Sequence, residues 1–203
     1  MAYYMVRLYS GSGDRSPEQL CELAGRELAP QLMQAGGLQR YLTGITDDGK
    51  VVSASVYDSK AAAQKGLDSA REWVSKTDAM RGYQLSQTMQ GEIVRVMQGN
   101  TQNRATHGVG RLHTTNATAE RIADAIEQHG IPASQSIQGR ARTLVVQLED
   151  GRVGTFLAFD SQEGRDQHSQ NVRNQRAELN PIKQVMPNEP EEINVRIVTS
   201  TSG

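Results

Sequence analysis

Four histidines, a lone cysteine and a recurring set of arginines are the residues of this sequence whose chemistry could serve a site. His107 and His113 are six residues apart on one face of a segment that reads as a strand. At the usual rise per residue about 20 Å separates them, so they cannot share a metal. His129 precedes Gly130 at a helix end, where an imidazolium suits the negative terminus. His168 falls on the sparse inner stripe of a polar helix. Histidine titrates near neutrality and can carry protons, which makes His113 and His168 candidate acid–base groups. Tyr9 joins them because it stands where His113 stands in an internal repeat. The plainer reading of each histidine is a half-buried structural side chain.

Cys21 alone permits no disulfide within the chain and no cysteine-based metal cluster. Gly11-Ser12-Gly13 lacks the later glycine and lysine of a phosphate-cradling loop. No Gly-x-Ser-x-Gly elbow, His-Glu-x-x-His helix or Cys-x-x-Cys pair occurs. The expectation is a site with no metal and no tightly held cofactor.

The arginines carry a second possibility. Arg7 shares its strand face with Met5 and Tyr9, and Arg111 shares its face with Val109 and His113. Guanidinium forks bind carboxylates well, so these two read as quasi-equivalent anion-binding spots. Arg95 and Arg196 repeat one another on later strands, and a fold that sets the first and fourth strands side by side would bring Arg95 near Arg7. The alternative is that all four pair with internal acids or snorkel at the sheet rim. Trp73 lies at helical spacing with Ala70 and Val74, as core or as the wall of a pocket.

What positions these residues is a tandem repeat. Four short segments recur in the same order: Met5–Tyr9 with Val109–His113, Asp48–Val51 with Asp150–Val153, Tyr57–Ser59 with Phe159–Ser161, and Val94–Val96 with Val195–Ile197. Their offsets are 104, 102, 102 and 101 residues, and four matches in register argue for duplication. In the first copy Tyr3–Tyr9 alternates as a strand, and Ser16-Pro17-Glu18-Gln19 is a capping box with proline at the first helical position. Pro30 interrupts the helix that follows and Gly36-Gly37 ends it. Strands over 38–46 and 50–57 are joined by Asp47-Asp48-Gly49, a hairpin signal. Asp58 or Ser59 caps a second helix through Val74, and Gly91–Met97 is the fourth strand.

The second copy repeats the plan: strand 107–114, helix 117–129, strands 142–148 and 152–159, a helix 162–178 capped from Asp160 with Glu163, and a last strand 193–199. Each copy is a βαββαβ, ferredoxin-like unit. The expected division is a first unit over 1–98, a polar linker over 99–106 and a second unit over 107–203. A sheet with both helices on one face leaves the other uncovered. The expected fold is therefore α+β, two antiparallel sheets packed face to face within one chain.

Composition narrows the partners. Hydrophobic residues make up 36% of 203 and aromatics 4%, lean for a single large core. With 22 basic and 23 acidic residues the formal net charge is −1, which leaves no electrostatic footprint for nucleic acid or an anionic membrane. Met1–Ser10 reads as a strand rather than a leader, and no apolar run approaches the ~20 residues that span a bilayer. The expectation is a cytoplasmic protein with no nucleic-acid or membrane partner.

Several segments carry a family resemblance. Ala29-Pro30-Gln31-Leu32, Gly37-Leu38-Gln39-Arg40-Tyr41, Val52–Ser59 and Ala70-Arg71-Glu72-Trp73-Val74 resemble the dimeric α/β-barrel superfamily. Within it the chain is similar to proteins related to the antibiotic biosynthesis monooxygenases. Phe159-x-Ser161-x-Glu163-Gly164 followed by His168 resembles that group's aromatic-x-Ser-x-Glu-Ala stretch. The resemblance implies an intramolecular α/β barrel with pockets between the sheet and helices of each unit, and self-association that closure does not require. It also implies a choice among a cofactor-independent, monooxygenase-like protein or binder of a small aromatic or hydrophobic ligand, a non-catalytic stress-response or assembly protein, and a haem-binding or haem-degrading protein. The residues that would serve are His113, Tyr9 and His168 for catalysis, and Arg7, Arg111 and Trp73 for the ligand. Gly66 stands where the second copy has His168, and no second tryptophan matches Trp73.

Overall fold

The computed structural model describes residues 1–134, 136–178 and 180–202, the side chains of residues 175–180 excepted. The first copy runs β1 (Tyr3–Gly11), α1 (Pro17–Leu23), α2 (Ala29–Gln34), β2 (Leu38–Thr46), β3 (Val51–Tyr57), α3 (Lys60–Thr77) and β4 (Tyr83–Gln98). The second runs β5 (His107–His113), α4 (Ala119–Ala125), α5 (Ile131–Ala133), β6 (Arg140–Leu148), β7 (Val153–Phe159), α6 (Gln162–Glu178), α7 (Asn180–Val185) and β8 (Glu191–Ser202). The hydrogen-bonded strand order is β1-β3-β2-β8-β5-β7-β6-β4 and returns to β1, the closed order of a barrel. Two compact units divide the chain: Met1–Glu92 with Val195–Gly203, and Ile93–Asn194.

In the first unit local chemistry sets the element ends. The Ser16 side chain accepts from the Gln19 amide while the Gln19 side chain accepts from the Ser16 amide, a complete capping box, and Pro17 needs no donor at the first helical position. Ser59 caps α3 by accepting from the Ala62 amide at 3.2 Å. Gly49 closes the β2–β3 hairpin at φ +83°, the left-handed region that glycine enters without strain.

The register then sorts side chains by face. Arg7 lies opposite Ser53 and Tyr9 opposite Val51 across β1–β3, while Tyr41 lies opposite Ser55 and Thr43 opposite Ser53 across β2–β3. Met5, Tyr41, Val51 and Tyr57 on that face form one core with Leu20, Leu28 and Leu32 from α1–α2 and with Ala63, Ala70 and Trp73 from α3. Truncating a leucine as buried as Leu20 (1% exposed) costs about 2–5 kcal/mol.

The second unit is built on antiparallel β5–β7–β6, with Arg111 and Val145 both opposite Thr155. Ala119, Ile122 and Ala123 of α4 pack with Val145, Val153 and, from the α7 region, Ile182, Val185 and Met186. Val109, Leu157 and Phe159 form a separate small cluster.

Both copies share a feature that escaped the sequence reading. The first helix of each passes through a π-helical turn, Ala24–Leu28 or Ile126–Gly130, immediately before Ala29-Pro30 or Ile131-Pro132. Proline has no amide proton to continue the ladder, and its ring crowds the carbonyl four residues back. The wider turn absorbs that clash. Pro30 and Pro132 are 102 residues apart, a further match in register.

Three details differ from expectation. β4 begins at Tyr83, well before Gly91, because its first half is a largely exposed strand whose polar residues mask the pattern. Arg95 does not meet Arg7, since the residue opposite Arg7 on β4 is Thr88. Arg95 instead pairs with Asp124 and Glu127, and Arg196 with Glu18, so both arginines are held by acids of the helices. The start of α6 is capped by Ser161, which accepts from the Gly164 amide at 3.2 Å. Asp160 accepts from Thr101 and Asn103 instead, tying down the polar segment after β4. Among the described residues no helix is long and apolar enough to cross a membrane.

Candidate functional site

A cavity of about 40 Å³ lies in the first unit where the face of β1, β2 and β3 meets the helices. Its walls are mostly apolar: Leu20, Ala24, Leu28 and Leu32 on one side, Ala70, Trp73 and Val74 on another. From the sheet come Arg7, Tyr9, Tyr41, Thr43, Ser53, Ser55 and Tyr57, which bring hydroxyls and one guanidinium to the same space. Apolar walls with a few convergent polar groups are the usual make-up of a small-molecule site.

The electrostatics favour donors. Tyr41 is 1% exposed, and its hydroxyl forms no hydrogen bond of normal geometry. Burial pushes its pKa far above the usual tyrosine range, while the Ser53 hydroxyl and Arg7 pull weakly the other way. Tyr57 is raised by burial too, against Ser55 and Arg7. Both phenols therefore stay protonated and can donate to a ligand oxygen. Burial lifts the Cys21 thiol to about 11, and it donates to the Gly44 carbonyl, so it is no ready nucleophile. The Trp73 indole donates to Glu27 at 3.4 Å, which fixes the ring as a wall. Among the described residues no histidine, aspartate or glutamate lines the cavity.

The second unit fills the matching face with a polar network. Arg111, 4% exposed, donates from Nε to Glu192 at 2.9 Å and from Nη2 to Ser169 at 2.8 Å. His113 Nε2 and the Thr155 hydroxyl are 3.2 Å apart. His168 is 6% exposed and packs its ring on Phe159, with centroids 5.3 Å apart. Burial first, then the positive charges of Arg111 and Arg140, hold its pKa down to about 3, so it is neutral. Arg140 is 8% exposed and its pKa is lowered by burial.

The six candidate residues thus divide. Arg7, Tyr9 and Trp73 line the first unit's cavity, while Arg111, His113 and His168 belong to the second unit's network. Tyr41, Tyr57, Thr43, Ser53 and Ser55 were not foreseen as cavity residues. Their signal is present in retrospect: Ser53 and Ser55 alternate into a face otherwise built for burial.

No protein-family model and no curated protein sequence matches the chain. Solved structures do match. A provisionally assigned monooxygenase from Fusobacterium nucleatum superposes with a TM-score of 0.67 at 7% identity, covering 99% of this chain and 94% of its own. An anthrone oxidase-like protein gives 0.62 at 12%, covering 99% and 93%. A variant chlorite dismutase from Candidatus Nitrospira defluvii gives 0.62 at 10%, covering 97% and 92%. At these identities the likeness concerns the fold. The chain is an α+β protein of the dimeric α/β-barrel type, with both repeats in one polypeptide.

Proposed function

We propose that the first unit binds a small aromatic or hydrophobic ligand in its cavity and that the protein is a monooxygenase-like member of this fold, working without metal or flavin. The observation that carries the reading is the meeting of apolar walls with the protonated Tyr41 and Tyr57 and with Arg7 in one partly open cavity. In such chemistry an ionised substrate carbon reduces dioxygen, and a methylene plus O₂ becomes a carbonyl plus water. The cavity residues would hold the substrate's oxyanion as it forms. Among the described residues no lining carboxylate or imidazole is there to take the first proton, so the substrate must be acidic enough to ionise in water.

The test is oxygen uptake with anthrone, the substrate type named for one structural neighbour. One O₂ should be consumed per anthrone, and Tyr41→Phe should slow the reaction at least tenfold. Uptake equal with and without protein would leave the non-catalytic reading, a stress-response or assembly role.

A histidine-ligated haem fits these residues poorly. Among the described residues no histidine lines the cavity, the His168 ring lies on Phe159, and His113 is engaged with Thr155. Titration with haemin should give no histidine-dependent Soret shift.

A further inference from the structure

Arg7 and Arg111 hold the same position in the two copies, 104 residues apart, and their surroundings differ in the partner each finds. Arg111 has a carboxylate of its own: Glu192 at 2.9 Å, backed by Ser169 at 2.8 Å. A buried guanidinium needs such a partner, because taking its charge out of water is otherwise costly. Arg7 is half-buried at the cavity, and its guanidinium donates to the Met5 thioether sulfur at 2.7 Å. Sulfur of that kind is a weak acceptor. Among the described residues no carboxylate pairs with Arg7.

The sequence accounts for the difference. At repeat offsets of 101 and 102, the counterparts of Glu192 are Gly91 and Gln90, neither of them acidic. Glu92, the next residue, is exposed and lies opposite Tyr3, four residues along β1 from Arg7. That is roughly 13 Å at strand rise, beyond reach of the guanidinium. The first unit therefore has the cation, the neighbouring hydroxyls of Tyr41, Ser53 and Ser55, and a cavity where the second unit has a filled network.

We infer that the first unit's cavity takes an aromatic monocarboxylate, whose carboxylate gives Arg7 the negative charge that Glu192 gives Arg111, and whose ring, too large for the resting cavity, opens it between Leu20, Ala70 and Trp73. This rests on the cavity being a ligand site, and it adds the charge and chemical class of the ligand. Guanidinium and carboxylate match in a two-pronged geometry that a neutral amide cannot copy.

Trp73 is the single tryptophan of the chain and lines the cavity, so its fluorescence reports occupancy. Titrating benzoate, benzamide and methyl benzoate at pH 7 and low salt should show benzoate binding at least tenfold tighter than either neutral analogue. Arg7→Gln should bring benzoate down to the affinity of benzamide and change benzamide far less than benzoate, with Arg7→Lys recovering part of the loss. A second variant guards against misfolding of the first. Thr88, exposed and opposite Arg7, can carry an internal acid within cross-strand reach. Thr88→Glu should weaken benzoate at least tenfold and spare benzamide.

Equal binding of benzoate and benzamide overturns the carboxylate inference and leaves the cavity reading standing. Tight benzoate binding that neither Arg7→Gln nor Thr88→Glu disturbs puts the anion elsewhere and also overturns it. Failure of all three probes to perturb Trp73 overturns the cavity reading together with the inference.

Discussion

Tyr57 and Phe159 hold the same position in the two copies, and one oxygen atom separates them. A Cβ built on Gly66 would sit 2.2 Å from the Tyr57 hydroxyl, so glycine is what lets the phenol extend there. In the second copy the hydroxyl is gone and His168, the counterpart of Gly66, lays its ring on Phe159. The exchange is reciprocal and explains why one unit shows a hydroxyl-lined cavity and the other a packed imidazole. Gly66→Ala should destabilise the protein by about 1–3 kcal/mol through overpacking, and Tyr57→Phe in the same chain should return part of that, as read by urea unfolding. His168 predicts a pH dependence. Its folded pKa of about 3 lies below the ordinary value of about 6.5, so between these the unfolded chain binds a proton that the native state does not. Its contribution is complete above about pH 6.5 and declines as pH falls toward 3, by up to ~1.4 kcal/mol per pH unit. Unfolding free energies from pH 7 to 4 should show this slope, and His168→Gln should flatten it. At Arg111, Glu192→Gln should cost roughly 3 kcal/mol by leaving a buried cation unpaired.

At the scale of elements, signals that act within a few residues were readable. The capping box at Ser16, the Asp-Gly hairpin turn and the alternation of Leu38–Thr46 each involve local contacts, and the elements appear where those contacts place them. The first half of β4 was not readable, since Gln84-Leu85-Ser86-Gln87-Thr88 is largely exposed and only pairing with β1 makes it a strand. The cap of α6 was misassigned between two adjacent polar residues. Asp160 and Ser161 are both good caps in isolation, and the demands of Thr101 and Asn103 on Asp160 decide between them. Ser59→Ala, which removes the cap of α3, should lower stability by about 1 kcal/mol in thermal or urea unfolding.

At the scale of the whole molecule, β8 is the strand on which the first unit's sheet depends at its β2 side. Arg40–Thr46 pairs with Val195–Ser202, residues some 150 positions later in the chain. Shortening the chain after Asn194 should strip those partners from β2, and hydrogen exchange of the β2 amides facing β8 should accelerate by orders of magnitude. Unchanged protection would show that another segment supplies the pairing. The sequence by itself determined that two βαββαβ copies are present, where most of their strands and helices begin and end, and that Arg7 and Arg111 are counterparts. Those features rest on periodicity, capping and self-similarity, which are local or arithmetic. Tertiary structure alone decided that Arg111 finds Glu192, that among the described residues no acid pairs with Arg7, and that Tyr41 and Tyr57 line one cavity with Trp73. Which guanidinium finds a carboxylate within the chain depends on residues far apart in sequence meeting at a few ångströms, and no spacing along the chain encodes that distance.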